Sequence, residues 1–149
     1  MPQLSLHSPL GDLSLTEEDG VLVALDWGWG RDQTPTPLLR RAVHQLHDYF
    51  DERRRQFEVP LYPHGTPFQR RLWAALEAIP YGETRSYQAL ARLLGSSPRA
   101  IGQACGANPL PILIPCHRVL AADGRLGGYS GEGGVETKIA LLRLEGALL

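Results

Sequence analysis

The chain has 149 residues, a formal net charge of −1 and 43% hydrophobic residues, including three Trp, five Tyr and three Phe. That length accommodates one or two small domains with a real core, and the composition excludes a disordered chain. No apolar run reaches membrane-spanning length, and Met1-Pro2-Gln3-Leu4 lacks the charged start and apolar middle of a secretory signal, so a cytoplasmic protein without membrane contact is expected.

Charge is unevenly distributed. Residues 1–63 hold six Arg against ten acidic residues, a net of −4, whereas residues 64–149 hold nine cationic against six acidic residues, a net of +3. A phosphate backbone attracts the second half and not the first. Lys138 is the only lysine; the other cations are Arg, which favours bidentate phosphate contact. Cys105 and Cys116 lie eleven positions apart, without metal-type spacing or a disulfide framework, so no metal is expected and a reducing compartment is.

In chain order, Leu4-Ser5-Leu6-His7-Ser8, Asp12-Leu13-Ser14-Leu15-Thr16 and Val21-Leu22-Val23-Ala24-Leu25 are short alternating or apolar runs. Gly11 and Asp19-Gly20 separate them as turns, which predicts an antiparallel meander. Trp27-Gly28-Trp29-Gly30 breaks the pattern, and packing in a core or between domains is favoured over base stacking. Thr36-Pro37 starts a helix whose inward face is predicted as Leu38, Leu39, Ala42, Val43, Leu46 and Phe50. Arg53-Arg54-Arg55 complements its dipole. Residues 57–65, with Pro60 and Pro63, read as a linker, dividing the chain into a domain over 1–62 and another over 63–149.

The second domain reads as mainly helical. Thr66-Pro67 opens a helix with Phe68, Leu72, Trp73, Leu76 and Ile79 buried, stopped by Pro80-Tyr81-Gly82. Ser86 caps a short helix carrying Tyr87, Leu90 and Leu94, closed by Gly95. Ser97-Pro98 opens another over residues 99–107, ended by Asn108-Pro109. The pair has the form of a helix-turn-helix. Its second helix is rich in small residues (Ala100, Gly102, Ala104, Gly106, Ala107), although Gly costs ~1 kcal/mol against Ala, so close approach of a neighbour is what they gain. That neighbour is either a groove or another helix. The last helix spans residues 135–145, with Val135, Ile139 and Leu142 inward and Gly146 as its stop.

Between the last two helices lies Pro109-Leu110-Pro111-Ile112-Leu113-Ile114-Pro115-Cys116-His117-Arg118-Val119. An apolar run stiffened by prolines delivers a thiol beside an imidazole and a guanidinium. A thiol attacks as its thiolate, and neighbouring cations lower its pKa. In an extended strand Cys116 and His117 point to opposite faces, so direct contact needs a turn there or a bridging water. A cysteine hydrolase or a redox protein is compatible with a Cys-His pair taken alone.

Pro115-Cys116-His117-Arg118-Val119 with the preceding Asn108 and prolines resembles the active-site signature of the O6-alkylguanine-DNA alkyltransferases. The likeness extends to Ser86-Tyr87-Gln88, Arg99-Ala100-Ile101-Gly102, Gly128-Tyr129-Ser130-Gly131, Lys138 and Leu144-Glu145-Gly146, covering about residues 66–149. It implies a ribonuclease H-like α/β first domain with a small antiparallel sheet, and a helical second domain with a winged-helix-like helix-turn-helix. It further implies direct reversal of DNA alkylation: Cys116 accepts an alkyl group from O6 of guanine, or O4 of thymine, in duplex DNA. No cofactor loop is present and a thioether is not cleaved by water, so one transfer per monomeric chain is expected. By resemblance, Cys116, a water, His117 and Glu145 form a proton relay, and Asn108 ties helix to active-site backbone. The target base must leave the stack. Arg99 would fill the gap and Tyr87 would press on the phosphate and assist the leaving guanine, with Ala100 and Gly102 in the minor groove. Val119, Tyr129, Ser130, Gly131 and Lys138 would shape the base pocket. The alternative is an alkyltransferase-like lesion sensor that binds without accepting the group, against which Cys116 argues. When on DNA the protein would be nucleoid-associated.

Overall fold

The computed structural model describes residues 1–129 and 134–148. The chain forms two compact units, Met1–His64 and Gly65–Leu149.

In the first unit, β1 (Gln3–Leu6), β2 (Leu13–Glu18) and β3 (Val21–Trp27) form the expected antiparallel meander in the order β1-β2-β3. Asp19 and Gly20 both have positive φ, 49° and 83°, matching a two-residue hairpin turn to the strand twist. Leu4 pairs with Leu15, and Leu15 with Leu25, so one face of the sheet is aliphatic. Helix α1 (Pro37–Phe50) begins at Thr36, whose hydroxyl accepts the Leu39 amide, and buries Leu39, Ala42, Leu46 and Tyr49.

Three expectations need correction here. The stripe of α1 is rotated: Gln45 is buried while Leu38, Val43 and Phe50 are only half-buried. The Glu58 amide donates to Gln45 Oε1 at 2.8 Å, so a buried amide anchors the chain beyond the helix. That chain is no plain linker, because Leu61 bridges to Leu22 of β3, with Leu22 N–H on Pro60 O and Tyr62 N–H on Leu22 O, each at 2.9 Å. Trp29 is 51% exposed and stacks on His7 at 4.7 Å, where packing in a core or between domains was expected.

The second unit is helical. Helix α2 (Pro67–Glu77) carries a complete capping box between Thr66 and Gln69, and buries Leu72, Trp73 and Leu76. Helices α3 (Tyr87–Leu94) and α4 (Pro98–Gly106) start on Ser86 and Ser97, and Gly95 closes α3 at φ 64°. The Trp73 indole donates to Ala104 O of α4 at 3.0 Å, tying the second member of the helix pair to α2. A two-residue parallel pair that the sequence did not signal joins β4 (Arg85–Ser86) to β5 (Val119–Leu120). It fixes the start of α3 against the segment following Cys116. In α5 (Val135–Leu144), Thr137, Lys138, Leu141 and Leu142 are buried, whereas Val135 is 39% exposed and Ile139 half-buried. The face is turned from the expected one because the cation of Lys138 points inward. Among the described residues no helix is long and apolar enough to cross a membrane.

Candidate active site around Cys116

Residues 110–119 are all buried. Pro109, Pro111 and Pro115 deny this run three amide donors, so it cannot lie as a sheet strand and folds by local turns instead. The Ile114 amide donates to Leu110 O, and that of Cys116 to Ile114 O, each at 2.8 Å. Ile112 has φ 73°, a left-handed conformation that a β-branched residue adopts at about 1–3 kcal/mol, held by complete burial of its side chain. Asn108, just past α4, donates to Ile114 O at 2.8 Å and accepts the Leu110 amide at 2.9 Å, locking both ends of the turn.

The chain then enters a single 3-10 turn, Cys116–Arg118. This turn answers the strand geometry considered above, since 3-10 dihedrals do not alternate adjacent side chains across two faces. His117 and Arg118 are both buried and both meet Glu145, the residue that ends α5. His117 Nε2–H donates to Glu145 Oε2 at 2.8 Å. Arg118 clamps the same carboxylate through Nε to Oε1 at 2.8 Å and Nη2 to Oε2 at 2.9 Å, and donates from Nη1 to Ile79 O at 2.7 Å. Its guanidinium also lies over the Tyr81 ring at 5.8 Å. Arg118 therefore does not activate the thiol, as its position beside Cys116 suggested; it neutralises Glu145.

Burial, with a smaller contribution from Arg118, sets the charge of His117. Burial lowers its pKa more than the Glu145 contact raises it, so the ring is neutral. With Nε2 as the donor, Nδ1 is a buried lone pair without a partner among the described residues. Burial likewise pushes the Cys116 thiol up, against opposing pulls from an Asn108 hydrogen bond and the Lys138 charge. The resting pair is thus a neutral thiol and a neutral base.

Cys116 opens onto a cavity of about 690 Å³ walled by α3, α4 and the loop after β5. Tyr87 and Arg99, at the first turns of α3 and α4, Gly102 on α4, and Tyr129 all line it. Tyr87 is half-buried, and burial holds its hydroxyl up at about 12. Tyr129 has a buried hydroxyl with no partner among the described residues. Arg99 is exposed at the rim; Ala100 does not line the cavity, its amide being held by the Ser97 hydroxyl at 3.2 Å. Val119 and Lys138 are not part of the lining either. Lys138 Nζ donates to Val119 O at 2.7 Å, to Leu126 O, and to Gly128 O at 3.3 Å, so its ammonium gathers the loop that forms one wall. Gly127 in that loop has φ 68°, and a Cβ there would stand 3.0 Å from the Tyr87 hydroxyl. Ser130 and Gly131 lie outside the described residues.

Two site residues escaped the sequence reading. Arg118 carried only a partial signal, because a guanidinium closing an apolar run calls for a carboxylate but does not say which one. Cys105 did not: its spacing from Cys116 marks no pairing, yet it lines the same cavity as Cys116.

A buried thiol on a rigid turn, backed by an imidazole and a carboxylate and facing a cavity beside a helix pair, defines a cysteine-nucleophile protein whose pocket adjoins a helix-turn-helix. Residues 4–63 match the ribonuclease-like domain of 6-O-methylguanine DNA methyltransferase, and residues 67–147 match its DNA-binding domain. The constitutive methylated-DNA–protein-cysteine methyltransferase of Bacillus subtilis is 43% identical, over 93% of this chain and 92% of its own. A relative of that name from Mycobacterium tuberculosis is 44% identical, over 95% of this chain and 90% of its own. The crystal structure of Mycobacterium tuberculosis OGT in complex with DNA superposes with a TM-score of 0.88 at 43% identity, covering 99% of this chain and 94% of that one. The chain belongs to the 6-O-methylguanine-DNA methyltransferase family.

Proposed function

We propose that this chain repairs alkylated DNA by direct reversal, moving an alkyl group from O6 of guanine, or O4 of thymine, onto Cys116 once per molecule. The observation that carries the reading is the uncharged Cys116–His117 pair held by Glu145 at the wall of a cavity. His117 Nδ1 takes the thiol proton through a bridging water, and the imidazolium is stabilised by Glu145. Sγ then attacks the saturated carbon, the carbon–O6 bond breaks, and guanine leaves. Tyr87 is protonated at neutral pH and close enough to the pocket to donate to that leaving group.

Duplex DNA reaches the site along α4. Gly106 has open space where a Cβ would stand, and at Gly102 the nearest atom is 4.0 Å away. The glycines therefore serve an outside partner, which supports the groove over the neighbouring helix. Arg99, exposed at the cavity rim, occupies the gap left by the extruded base in this reading. The fold beyond the sheet and the helix pair reads as ribonuclease H-like in the first unit, with β4 and β5 forming a minimal wing in the second. Thiol, relay and cavity all lie in residues 65–149, so one monomer suffices on DNA, in the cytoplasm and on the nucleoid.

Intact mass after mixing with a duplex bearing one O6-methylguanine tests the reading. A gain of one methyl per chain, confined to Cys116, is expected. An unlabelled chain that still binds the lesion makes it a sensor, and repeated turnover makes it a hydrolase.

A further inference from the structure

The mechanism above uses one thiol, yet the cavity holds two. Cys105 and Cys116 are both free and both line it. Asn108 links the two segments that carry them. Asn108 lies just past the end of α4, three positions after Cys105. Asn108 N–H donates to Cys105 O at 3.2 Å, while the Asn108 side chain holds Ile114 O at 2.8 Å and hydrogen-bonds the Cys116 thiol. Cys105 thus stands beside the residue that grips the turn carrying Cys116. Burial, and next the Cys116 thiol whose ionised form would oppose a second thiolate, raise Cys105 to about 12. Such a thiol is inert toward weak electrophiles and needs a strong one delivered next to it.

We propose that Cys105 is a second covalent site, which captures the remaining electrophile when the lesion is bifunctional, the simplest case being O6-(2-haloethyl)guanine. The proposal rests on alkyl transfer to Cys116 as the first step. In that step the Cys116–carbon bond forms, the carbon–O6 bond breaks, and the thiol proton passes to His117 as guanine leaves. The product is a 2-haloethyl thioether. Its sulfur displaces halide from the adjacent carbon, giving a three-membered episulfonium ion. Cys105 Sγ opens that ring, forming one carbon–sulfur bond as one ring bond breaks, and releases its proton to water. The result is an ethylene bridge between Cys116 and Cys105, with net loss of guanine and hydrogen halide and no change of oxidation state. Water competes for the ring and would leave a hydroxyethyl group. Cys105 competes with that water because it lines the same cavity and is already at hand when the ring forms. The bridge would quench within the protein an electrophile otherwise free to attack the DNA still bound beside it.

The test is intact mass and peptide mapping after reaction with freshly deprotected duplexes carrying O6-(2-chloroethyl)guanine or O6-methylguanine, in the natural protein and in Cys105→Ser. Expected from the chloroethyl duplex is a gain of one ethylene less two hydrogens, with Cys105 and Cys116 in one linked peptide. The Cys105→Ser protein should instead carry only hydroxyethyl or chloroethyl on Cys116. A hydroxyethyl group on Cys116 of the natural protein, with Cys105 still open to iodoacetamide after denaturation, overturns the bridge and leaves repair intact. No uptake from either duplex sinks both readings.

Discussion

At neutral pH the Cys116 thiol and the His117 imidazole are both uncharged, because burial opposes either ion. In the proposed mechanism the thiolate is made at the moment of reaction, with Glu145 already neutralised by Arg118 and turned toward the imidazole. His117→Ala should cut the single-turnover rate at pH 7 by about 10²–10⁴-fold. The variant's rate should then climb with pH into the alkaline range, tracking the raised thiol, while the natural protein's levels off earlier. Rates on a methylated duplex from pH 6 to 10 give the comparison; coincident profiles would remove His117 from proton transfer. Arg118→Met leaves Glu145 buried without its cation, and should cost about 3–5 kcal/mol of stability, read from the urea midpoint. Cys116 was legible in the sequence because its signature is local. The role of Arg118 was not, since it depends on a partner 27 positions away at the far end of the last helix.

Among the elements, the helices were legible because their starts are written in adjacent residues: Thr36-Pro37, Thr66-Pro67 and Ser97-Pro98 each set a cap and the first φ. What escaped were features set by distant pairing, namely the β4–β5 pair, the Leu61 bridge to Leu22 and the 3-10 turn at Cys116. The inward face of α5 was misread for a related reason: an apolar count ranks Val135 above Lys138, but only Lys138 can gather three carbonyls. The loop those bonds hold is tight against Tyr87. Gly127→Ala should cost about 1–2 kcal/mol from the left-handed backbone alone. It should also slow transfer by displacing Tyr87. Urea melts and single-turnover rates measured together check this; a variant with natural rate and lowered stability would mean that Tyr87 has room to move.

For the whole molecule, the uncharged site makes stability depend on pH. The folded His117 has a lowered pKa, so below its ordinary value of about 6.5 the unfolded chain binds a proton that the folded one refuses. Its contribution is complete above that pH and is lost progressively as pH falls toward the lowered value. Urea midpoints from pH 8 to 5 should decline more steeply for the natural protein than for His117→Gln; parallel declines would assign the loss to other groups. The prolines around Ile112, described above as fixing the turn under the thiol, have a further consequence once the chain unfolds. Leu110, Ile112, Leu113 and Ile114 then form an exposed aliphatic stretch of the kind that zips into intermolecular sheets. Pro109, Pro111 and Pro115 interrupt its ladder of donors, so the segment that must be most hydrophobic to bury the nucleophile is poorly able to template aggregation. Refolding yield after heating should therefore drop in Pro111→Ala more than its change in melting temperature explains, with light scattering as the readout.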